Sequence, residues 1–247
     1  MTYDEHREKA LDIDIFREEM VDCYDEIALF VDETLDQSFY NMTTSEIINT
    51  LGLDKNSVII DLGACRGGQI TDYVSLGAEV HAFEPHPMHA HTIKETFSNY
   101  QNLIFHDYAA GHTNCDVSYL YFKGSPDDDN GGASMLPFKL TTDDSVAQGR
   151  FNHDPGMTHI VKTIDIAKYI FELDKDIDIL KIDVEGLEYL LMWRLLETGA
   201  ASRIKHIFFA DHRQNFLATV WFESAVKTID VIKRNPEVMN KMHHRHT

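Results

Sequence analysis

The 247-residue chain has few cysteines, too few basic residues to balance its acids, and no long apolar run. Its three cysteines, Cys23, Cys65 and Cys115, are an odd number without metal-site spacing, so we expect reduced thiols and no structural zinc. Lysine and arginine total 22 against 41 aspartates and glutamates, which gives a formal net charge of −19. Because binding the phosphates of DNA or RNA requires clustered basic residues, we expect no nucleic-acid partner.

Membrane segments and export signals are also missing from the sequence. No apolar stretch approaches the ~18 residues of a membrane span, and the first residues lack the basic and apolar regions of a secretory signal. The sequence therefore predicts a cytoplasmic protein with no membrane partner. The excess of acids is interpreted as a solvated surface.

What the chain does contain is enough apolar material for a full core. Hydrophobic residues make up 43% and aromatic residues 11% of the chain. We expect residues 1–52 to form an N-terminal helical cap, with Thr43 to Glu46 as a capping box and Gly52 as a helix end. Residues 53–247 form the main predicted domain, with an insertion at 111–160 that contains a loop over residues 124–134.

A glycine-rich turn follows the short β-branched run from Val58 to Ile60. Such a run is typical of a strand buried on both faces of a parallel sheet, and Asp61 falls where this strand should end. Gly63, Gly67 and Gly68 then allow a tight turn and a close approach of a ligand to the backbone, which side chains would block. We expect this turn to bind a ligand.

A second strand is predicted at residues 79–83, after a helical pattern over residues 69–76. It ends in Glu84, whose carboxylate is suitably placed for the two hydroxyls of a ribose. The spacing is similar to that of dinucleotide-binding βαβ units, in which an acidic residue after the glycines binds the ribose. The pair of segments therefore predicts a nucleoside-containing cofactor.

The glycine spacing distinguishes between two such cofactors. G-x-G-x-x-G would need a glycine where this chain has Cys65, so a nicotinamide dinucleotide is not expected. D-x-G-x-x-x-G fits as Asp61, Gly63 and Gly67, and this is the pattern that class I methyltransferases carry. The predicted cofactor is S-adenosylmethionine, and an ordinary βαβ unit of an unrelated α/β protein is the alternative.

A third segment, at residues 163–199, contains D-I-L-K-I-D-V-E-G-L-E. Together with D-L-G-A-x-x-G and A-F-E-P-x-P, in this order, it resembles the FkbM-like methyltransferases over residues 55–215. The resemblance implies an α/β, Rossmann-like class I fold with a mostly parallel doubly wound sheet and helices on both faces. It also implies an S-adenosylmethionine-dependent O-methyltransferase whose partner is a small-molecule or glycan substrate, methylated on a hydroxyl of a sugar, glycan or glycosylated metabolite.

Strands three to five are predicted at residues 103–106, 177–182 and 204–209. In class I methyltransferases the end of the third strand faces the adenine, so Asp107 could accept a hydrogen bond there, although it could equally be an ordinary turn residue. The cofactor-binding residues that the resemblance implies are Asp61, Gly63, Ala64, Gly67, Glu84, Pro85, Asp107 and Tyr108.

The acceptor hydroxyl must lose a proton during methyl transfer, and a free aspartate is a poor base for an alcohol. The candidate catalytic residues follow strands four and five: Asp183, Glu185, Asp211 and His212. Asp183, Asp211 and His212 could bind Mg²⁺, in a placement similar to that in catechol-type O-methyltransferases. His212 could instead be the base itself, or the Ala-Asp-His segment could be structural. The sequence leaves the three alternatives open.

The chain departs from the family pattern in two places. Cys65 and Arg66 stand where the family usually has asparagine and an aliphatic residue, and the chain after Ala210 lacks the Gly-Tyr that commonly introduces the last hairpin. We therefore expect an incomplete C-terminal hairpin, a helical pattern over residues 216–232, and a solvated terminus at residues 243–246. A cofactor-binding protein without turnover is the alternative function, and a homo-oligomer is left open.

Overall fold

The computed structural model of the chain describes residues 26–121, 133–135, 158–212 and 219–245. Residues 1–25 of the predicted cap and residues 124–132 of the predicted loop lie outside the described residues. None of the helices in the described ranges combines the length and the apolar character that crossing a membrane requires.

Strands and helices alternate along much of the described chain. The strands are β1 (Val58–Leu62), β2 (Glu79–Phe83), β3 (Leu103–His106), β4 (Ala109–Gly111), β5 (Cys115–Tyr121), β6 (Thr158–Asp165), β7 (Ile177–Ile182), β8 (Ile204–Phe209) and β9 (Met242–His244). The α-helices are α1 (Thr44–Leu51), α2 (Ile70–Leu76), α3 (Pro87–Thr96), α4 (Ile166–Leu173), α5 (Glu188–Thr198), α6 (Thr219–Lys233) and α7 (Pro236–Met239). A π-helical turn, Phe30–Thr34, precedes α1, and a 3₁₀ turn, Ala200–Arg203, precedes β8.

The central sheet has six strands in the order β3-β2-β1-β7-β8-β9, and each neighbouring pair is parallel. This confirms the predicted α/β fold with a mostly parallel sheet. The strand order reverses between β1 and β7, and ligands of open α/β sheets bind outside the carboxyl ends of the strands at such a point. The topology therefore directs attention to the turns that follow β1, β2 and β7.

Helices cover both faces of this sheet because each central strand buries side chains on both sides. Ile60 of β1 and Leu180 of β7 belong to one apolar cluster, which also contains Phe30 before α1. Ile59 and Ile179, one position earlier on the same strands, belong to the cluster on the opposite face. The resulting core holds the strand ends, and so the turns that follow them, in fixed positions.

A smaller sheet in the order β4-β6-β5 lies next to the carboxyl ends of the main strands. β5, which lies within the segment that the sequence predicts to be an insertion, pairs with β6 in antiparallel fashion. Tyr119 is half-exposed on one face of β5, whereas Leu120 on the other face is buried. The buried face of the small sheet forms part of the cavity wall described below.

Helix α1 begins and ends where the sequence predicts. The Glu46 amide donates to the Thr43 hydroxyl at 3.2 Å, and the Thr43 amide donates to the Glu46 carboxylate at 2.7 Å. Gly52 ends the helix in the left-handed conformation, with φ of 65°. The helix is therefore set by local capping.

The C-terminal residues are not a solvated terminus, so that prediction is wrong for residues 243–245. β9 continues the sheet beside β8, and both His243 and Arg245 are buried. His243 is held by hydrogen bonds from its two ring nitrogens to Asp36, at 2.9 Å, and to His206, at 3.0 Å. These polar side chains can be buried because they have partners. No antiparallel strand pairs with β9 among the described residues, in line with the expected incomplete hairpin.

Candidate functional site

A cavity of about 550 Å³ lies at the carboxyl ends of β1, β2 and β7. Its size is within the usual range for small-molecule sites. The turn residues Gly63, Ala64 and Cys65 form one wall together with Glu84. The buried face of the small sheet and the residues after β7 form the rest, so the cavity occupies the position that the strand order indicates.

The turn after β1 can only be built with glycine at position 63. Gly63 has φ of +82°, and a Cβ at this residue would lie 1.8 Å from the carbonyl oxygen of Asp183. Gly67 is also in the left-handed region, and a Cβ there would lie 2.5 Å from the ring of Phe97. The amides of Gly63 and Ala64 both donate to the Phe83 carbonyl at 3.0 Å. Close packing and hydrogen bonds thus fix the shape of the turn.

Glu84 connects this turn to the turn after β2. Its carboxylate accepts hydrogen bonds from the amides of Cys65 and His86, both at 2.8 Å, and the residue is 6% exposed. Burial raises the pKa of Glu84 to about 7, even though the two amide donors oppose that change. The carboxyl group therefore changes its charge near neutral pH, at the wall of the cavity.

Two histidines that sequence reasoning did not assign also line this wall. The rings of His86 and His89 stack with centroids 4.2 Å apart, and both residues are buried. His86 also caps α3, because its Nδ1 accepts a hydrogen bond from the Met88 amide at 3.2 Å. The available sequence signal was their position directly after the Glu84-Pro85 pair, which itself lines the cavity.

Lys181 links the ends of β1 and β7 and was also missed. Its Nζ lies 3.0 Å from an Asp61 carboxylate oxygen, 3.2 Å from one of Asp183, and 2.9 Å from the Gly63 carbonyl oxygen. Burial alone lowers the pKa of Lys181, but the carboxylates of Asp183 and Asp61 outweigh burial and raise it. Lys181 therefore remains charged. The sequence signal was a lysine within the otherwise apolar end of a buried strand.

His212, which is partly buried, pairs with the buried Glu188 behind the residues that follow β7. Nδ1 of His212 lies 2.9 Å from Oε1 of Glu188, a residue that is 0% exposed. The Glu188 carboxylate also accepts hydrogen bonds from the amides of Val184 and Gly186, both at 2.9 Å. One buried carboxylate thus orders the turn after β7 and orients the imidazole.

The other ring nitrogen of His212 faces two acids of the cavity wall. Nε2 lies 3.8 Å from Asp183 and 3.9 Å from Glu185. Burial alone lowers the pKa of His212, but Glu188, Glu185 and Asp183 together raise it to about 9. His212 is therefore an imidazolium at neutral pH, held by three carboxylates.

Glu185 has a backbone conformation that is rare for its residue type. Its φ is +58°, and its carbonyl oxygen accepts a hydrogen bond from the Ser134 hydroxyl at 2.7 Å. A non-glycine residue in this region costs of order 1–3 kcal/mol, and such residues concentrate at functional sites. The contact with Ser134 ties the short described segment 133–135 to the acidic end of the cavity.

Three residues predicted for the site lie elsewhere. Asp211 accepts a hydrogen bond from the Tyr189 hydroxyl at 3.0 Å, and Asp107 is half-exposed and 2.7 Å from Lys94. The ring of Tyr108 lies below the ammonium of Lys162. These three residues are not part of the cavity wall, whereas Asp183, Glu84, Gly63, Ala64 and Pro85 are. Asp61, Gly67 and His212 are not part of the wall either, but each contacts or adjoins a residue that is.

The group of side chains that could hold a metal ion differs from the predicted set. Ligand atoms of Asp183, Glu188 and His212 lie within 4.8 Å of one another, so Glu188 takes the place of the predicted Asp211. Both oxygens of Glu188 already accept backbone hydrogen bonds, and Nδ1 of His212 is directed at Glu188. A protonated His212 imidazole would be stabilised by the same carboxylates, so this arrangement does not require a metal ion.

Comparison with known protein families agrees with this geometry. A family profile described as the methyltransferase FkbM domain matches residues 61–233, a range that begins at the end of β1 and extends through α6. Comparison with curated proteins finds no significant match. The matched range contains the glycine turn, Glu84, Lys181 and the Glu188-His212 pair. The chain belongs to the FkbM methyltransferase family and is a methyltransferase.

Proposed function

We propose that this methyltransferase uses S-adenosylmethionine and methylates a hydroxyl of a sugar, glycan or glycosylated metabolite. The observation that carries the proposal is the junction of the glycine turn and Glu84 on one cavity wall. When bound, S-adenosylmethionine supplies an electrophilic methyl group. The chain's own residues must hold that cofactor, align the acceptor oxygen and remove its proton.

The Glu84 carboxylate has enough hydrogen-bond acceptor sites to bind the two ribose hydroxyls. Each carboxylate oxygen offers about two acceptor sites, and each accepts one backbone amide here. One site on each oxygen therefore remains for a hydroxyl donor. A carboxylate already aligned by two amides gives these bonds in a fixed geometry, which supports Glu84 as the ribose acceptor.

The turn around Gly63 and Ala64 suits the rest of the cofactor. Its backbone reaches the cavity without an intervening Cβ at position 63, so a ligand can approach the main chain closely. Asp183 and Glu185 add carboxylates on the same cavity, which can accept hydrogen bonds from the ammonium group of an amino-acid tail or from an acceptor hydroxyl. A sulfonium compound with an amino-acid tail matches this set of donors and acceptors.

For proton removal we propose the pair of Asp183 and His212. Asp183 lies on the cavity wall, where it can orient an acceptor hydroxyl, and Nε2 of His212 lies 3.8 Å behind it. With its pKa raised to about 9, His212 is protonated at neutral pH and becomes a base only after it loses that proton. A positive charge bound in the cavity would lower this pKa and favour the neutral imidazole.

The side chains that line the acceptor end of the cavity support the proposed substrate class. Asp183 and Glu185 provide hydroxyl acceptors, whereas Leu120, Met135 and Val184 provide an apolar wall. A sugar ring presents hydroxyls at its edge and C–H groups on its faces, so such a mixed site suits it. Resemblance to the FkbM-like methyltransferases supports the same class.

The test combines calorimetry with an acceptor screen. Purified protein is titrated with S-adenosylhomocysteine, with and without Mg²⁺, and then incubated with methyl-labelled S-adenosylmethionine and a panel of sugars, glycosides, catechols and amines. Micromolar binding and label on sugar hydroxyls are the expected results. Label only on catechols or amines would contradict the substrate class, and a requirement for Mg²⁺ would favour a metal at the Asp183, Glu188 and His212 group.

A further inference from the structure

Arg245 is a buried cation that has no part in the site as described so far. It follows β9, and its amide donates to the Phe209 carbonyl at 3.2 Å, so the main chain is held against the end of β8. The residue is 7% exposed. A buried guanidinium requires partners or a counter-charge, because removing it from water is costly.

The direct partners of Arg245 do not satisfy all the hydrogen-bond donors of its guanidinium group. It hydrogen bonds with the hydroxyl of Tyr73, lies 3.5 Å from the Thr44 hydroxyl, and stacks 5.7 Å above the Phe208 ring. Its buried Nε has no hydrogen-bond partner within the described part of the chain. None of these neighbours carries a negative charge.

A small cavity of about 10 Å³ lies between Arg245 and the Asp61-Lys181 pair. Its lining is mixed: the polar side chains of Arg245, Asp61, Lys181 and Tyr73 reach it, together with apolar side chains such as Ile59. This volume is about the minimum that holds one water molecule, and a buried water needs about two to four polar partners. A single water can therefore bridge the guanidinium to the Asp61 carboxylate.

The bridge is important because of the balance of charges around Asp61. Asp61 and Asp183 share one ammonium, that of Lys181. Asp183 also faces His212, whereas the shared ammonium is the only cation in direct contact with Asp61 among the described residues. Asp61 is 2% exposed and cannot rely on solvent to compensate. Arg245 supplies the second positive charge at this location, across a small cavity that shares Lys181 with the lining of the large cavity.

The same cluster controls the glycine turn. Lys181 donates to the Gly63 carbonyl at 2.9 Å while it contacts Asp61 and Asp183. A change in the charge around Asp61 therefore changes the position of Lys181, and with it the positions of the Gly63 carbonyl and the Asp183 carboxylate. Both of these groups belong to the cavity that we assign to the cofactor.

We propose that Arg245 is a positioning residue for the cofactor turn, acting on the Asp61-Lys181 pair through its charge and a bridging water. The proposal rests on the proposed function, because it assumes that the large cavity binds S-adenosylmethionine. It also gives the C-terminal strand a role in the site, since β9 is the element that delivers Arg245 to the buried pair.

The test compares a neutral with a charged replacement. Arg245→Gln removes the charge but keeps a polar side chain, Arg245→Lys keeps the charge, and Arg234→Gln is the control, because the Arg234 side chain is 80% exposed. Each full-length variant is titrated with S-adenosylhomocysteine by calorimetry. Amide hydrogen exchange is followed over residues 61–68 and, as a reference, over α4.

We expect Arg245→Gln to weaken S-adenosylhomocysteine binding about fivefold or more, with faster exchange at residues 61–68 and unchanged exchange in α4. Arg245→Lys should recover most of the affinity, and Arg234→Gln should match the wild type. If Arg245→Gln does not fold, Tyr73→Phe removes only the hydroxyl that holds the guanidinium, and a smaller loss in the same direction is expected.

Three outcomes would overturn the proposal. These are wild-type affinity in Arg245→Gln or, where that variant does not fold, in Tyr73→Phe; an equal loss of affinity in the lysine and glutamine variants; and a lower melting temperature with unchanged affinity and unchanged exchange at residues 61–68. Absence of binding by the wild type would instead contradict the proposed function, so the two failures are distinguishable.

Discussion

The two ends of the cavity, which we propose bind the cofactor and the acceptor, differ in how they hold an ionisable side chain. At the cofactor end, Glu84 is surrounded by backbone amides, and burial brings its pKa to about 7. At the acceptor end, His212 is surrounded by the carboxylates of Glu188, Glu185 and Asp183, which bring its pKa to about 9 despite burial. Burial disfavours charge at both ends, and the partners decide whether the charge is kept.

This difference suits two separate tasks. A carboxylate held by neutral amides can accept further hydrogen bonds, which is what recognition of ribose hydroxyls requires. An imidazole held by carboxylates can accept the hydroxyl proton only after it has lost its own, and a positive charge bound in the cavity favours that loss. The following predictions test whether the two ends act separately.

The largest effect is expected at the acceptor end, from Asp183→Asn. Methyl transfer should fall roughly 10²- to 10⁴-fold, because the hydroxyl-orienting carboxylate and the contact to His212 are lost. Binding of S-adenosylhomocysteine should weaken far less than turnover, because the amide oxygen of asparagine can still accept a hydrogen bond from Lys181. Asp116→Asn, at a side chain that is 94% exposed, is the control for both measurements. Comparable losses of binding and turnover would indicate that Asp183 binds the cofactor. That result would contradict the proposed division of roles between the two ends of the cavity.

Gly63→Ala should damage the structure between the two ends. The new Cβ would lie 1.8 Å from the Asp183 carbonyl oxygen at a residue with φ of +82°, so the turns after β1 and β7 cannot both keep their positions. We expect the free energy of unfolding to fall by about 3 kcal/mol or more, measured by denaturant titration. Gly68→Ala is the matched control, since a Cβ there meets nothing within 4 Å. Similar stability of the two variants would show that the close contact is unimportant.

Glu84→Ala acts on the cofactor end alone. Affinity for S-adenosylhomocysteine should decrease by roughly 1–3 kcal/mol, because the ribose hydroxyls lose an acceptor and two backbone amides lose their partner. Calorimetry measures this loss, and Glu95→Ala, at an exposed position on α3, is the control. Unchanged affinity in Glu84→Ala would remove Glu84 from the proposed pocket.

The smallest effect is a pH dependence of cofactor affinity. Hydroxyl donors favour the ionised carboxylate, so binding below pH 7 must displace a proton from Glu84, and affinity should fall about tenfold from pH 8 to pH 6. His89 is a second ionisable side chain beside Glu84, with its Nδ1 3.9 Å away, so Glu84→Gln is the required comparison. If the affinity of Glu84→Gln does not depend on pH, the assignment of the effect to Glu84 is supported. If its affinity falls with pH as in the wild type, another group causes the effect.

The glycine turn and Glu84, at the proposed cofactor end, could be located from the sequence because their signals are local. The strand before Asp61, the glycines and Glu84 follow one another within one βαβ unit, and the capping box of α1 is equally local. The residues involved are required by backbone geometry, as Gly63 shows. Local geometry leaves a readable pattern in the sequence.

The sequence pointed to Asp183, Glu185 and His212 at the proposed acceptor end, but the partners that hold them and the C-terminal strand could not be predicted in the same way. Glu188 and His212 are joined by a hydrogen bond between residues 24 positions apart, and Lys181 bonds to Asp61 across 120 positions. β9 has no apolar alternation, because His243 is buried through bonds to Asp36 and His206. These features depend on long-range polar partners, which composition and periodicity do not reveal.

The most direct test of the account is calorimetric titration of the wild type and of Glu84→Ala with S-adenosylhomocysteine. The account predicts micromolar binding by the wild type and a loss of roughly 1–3 kcal/mol in the variant. No binding by the wild type, or equal binding by both proteins, would contradict the claim that the junction of the glycine turn and Glu84 forms the cofactor site.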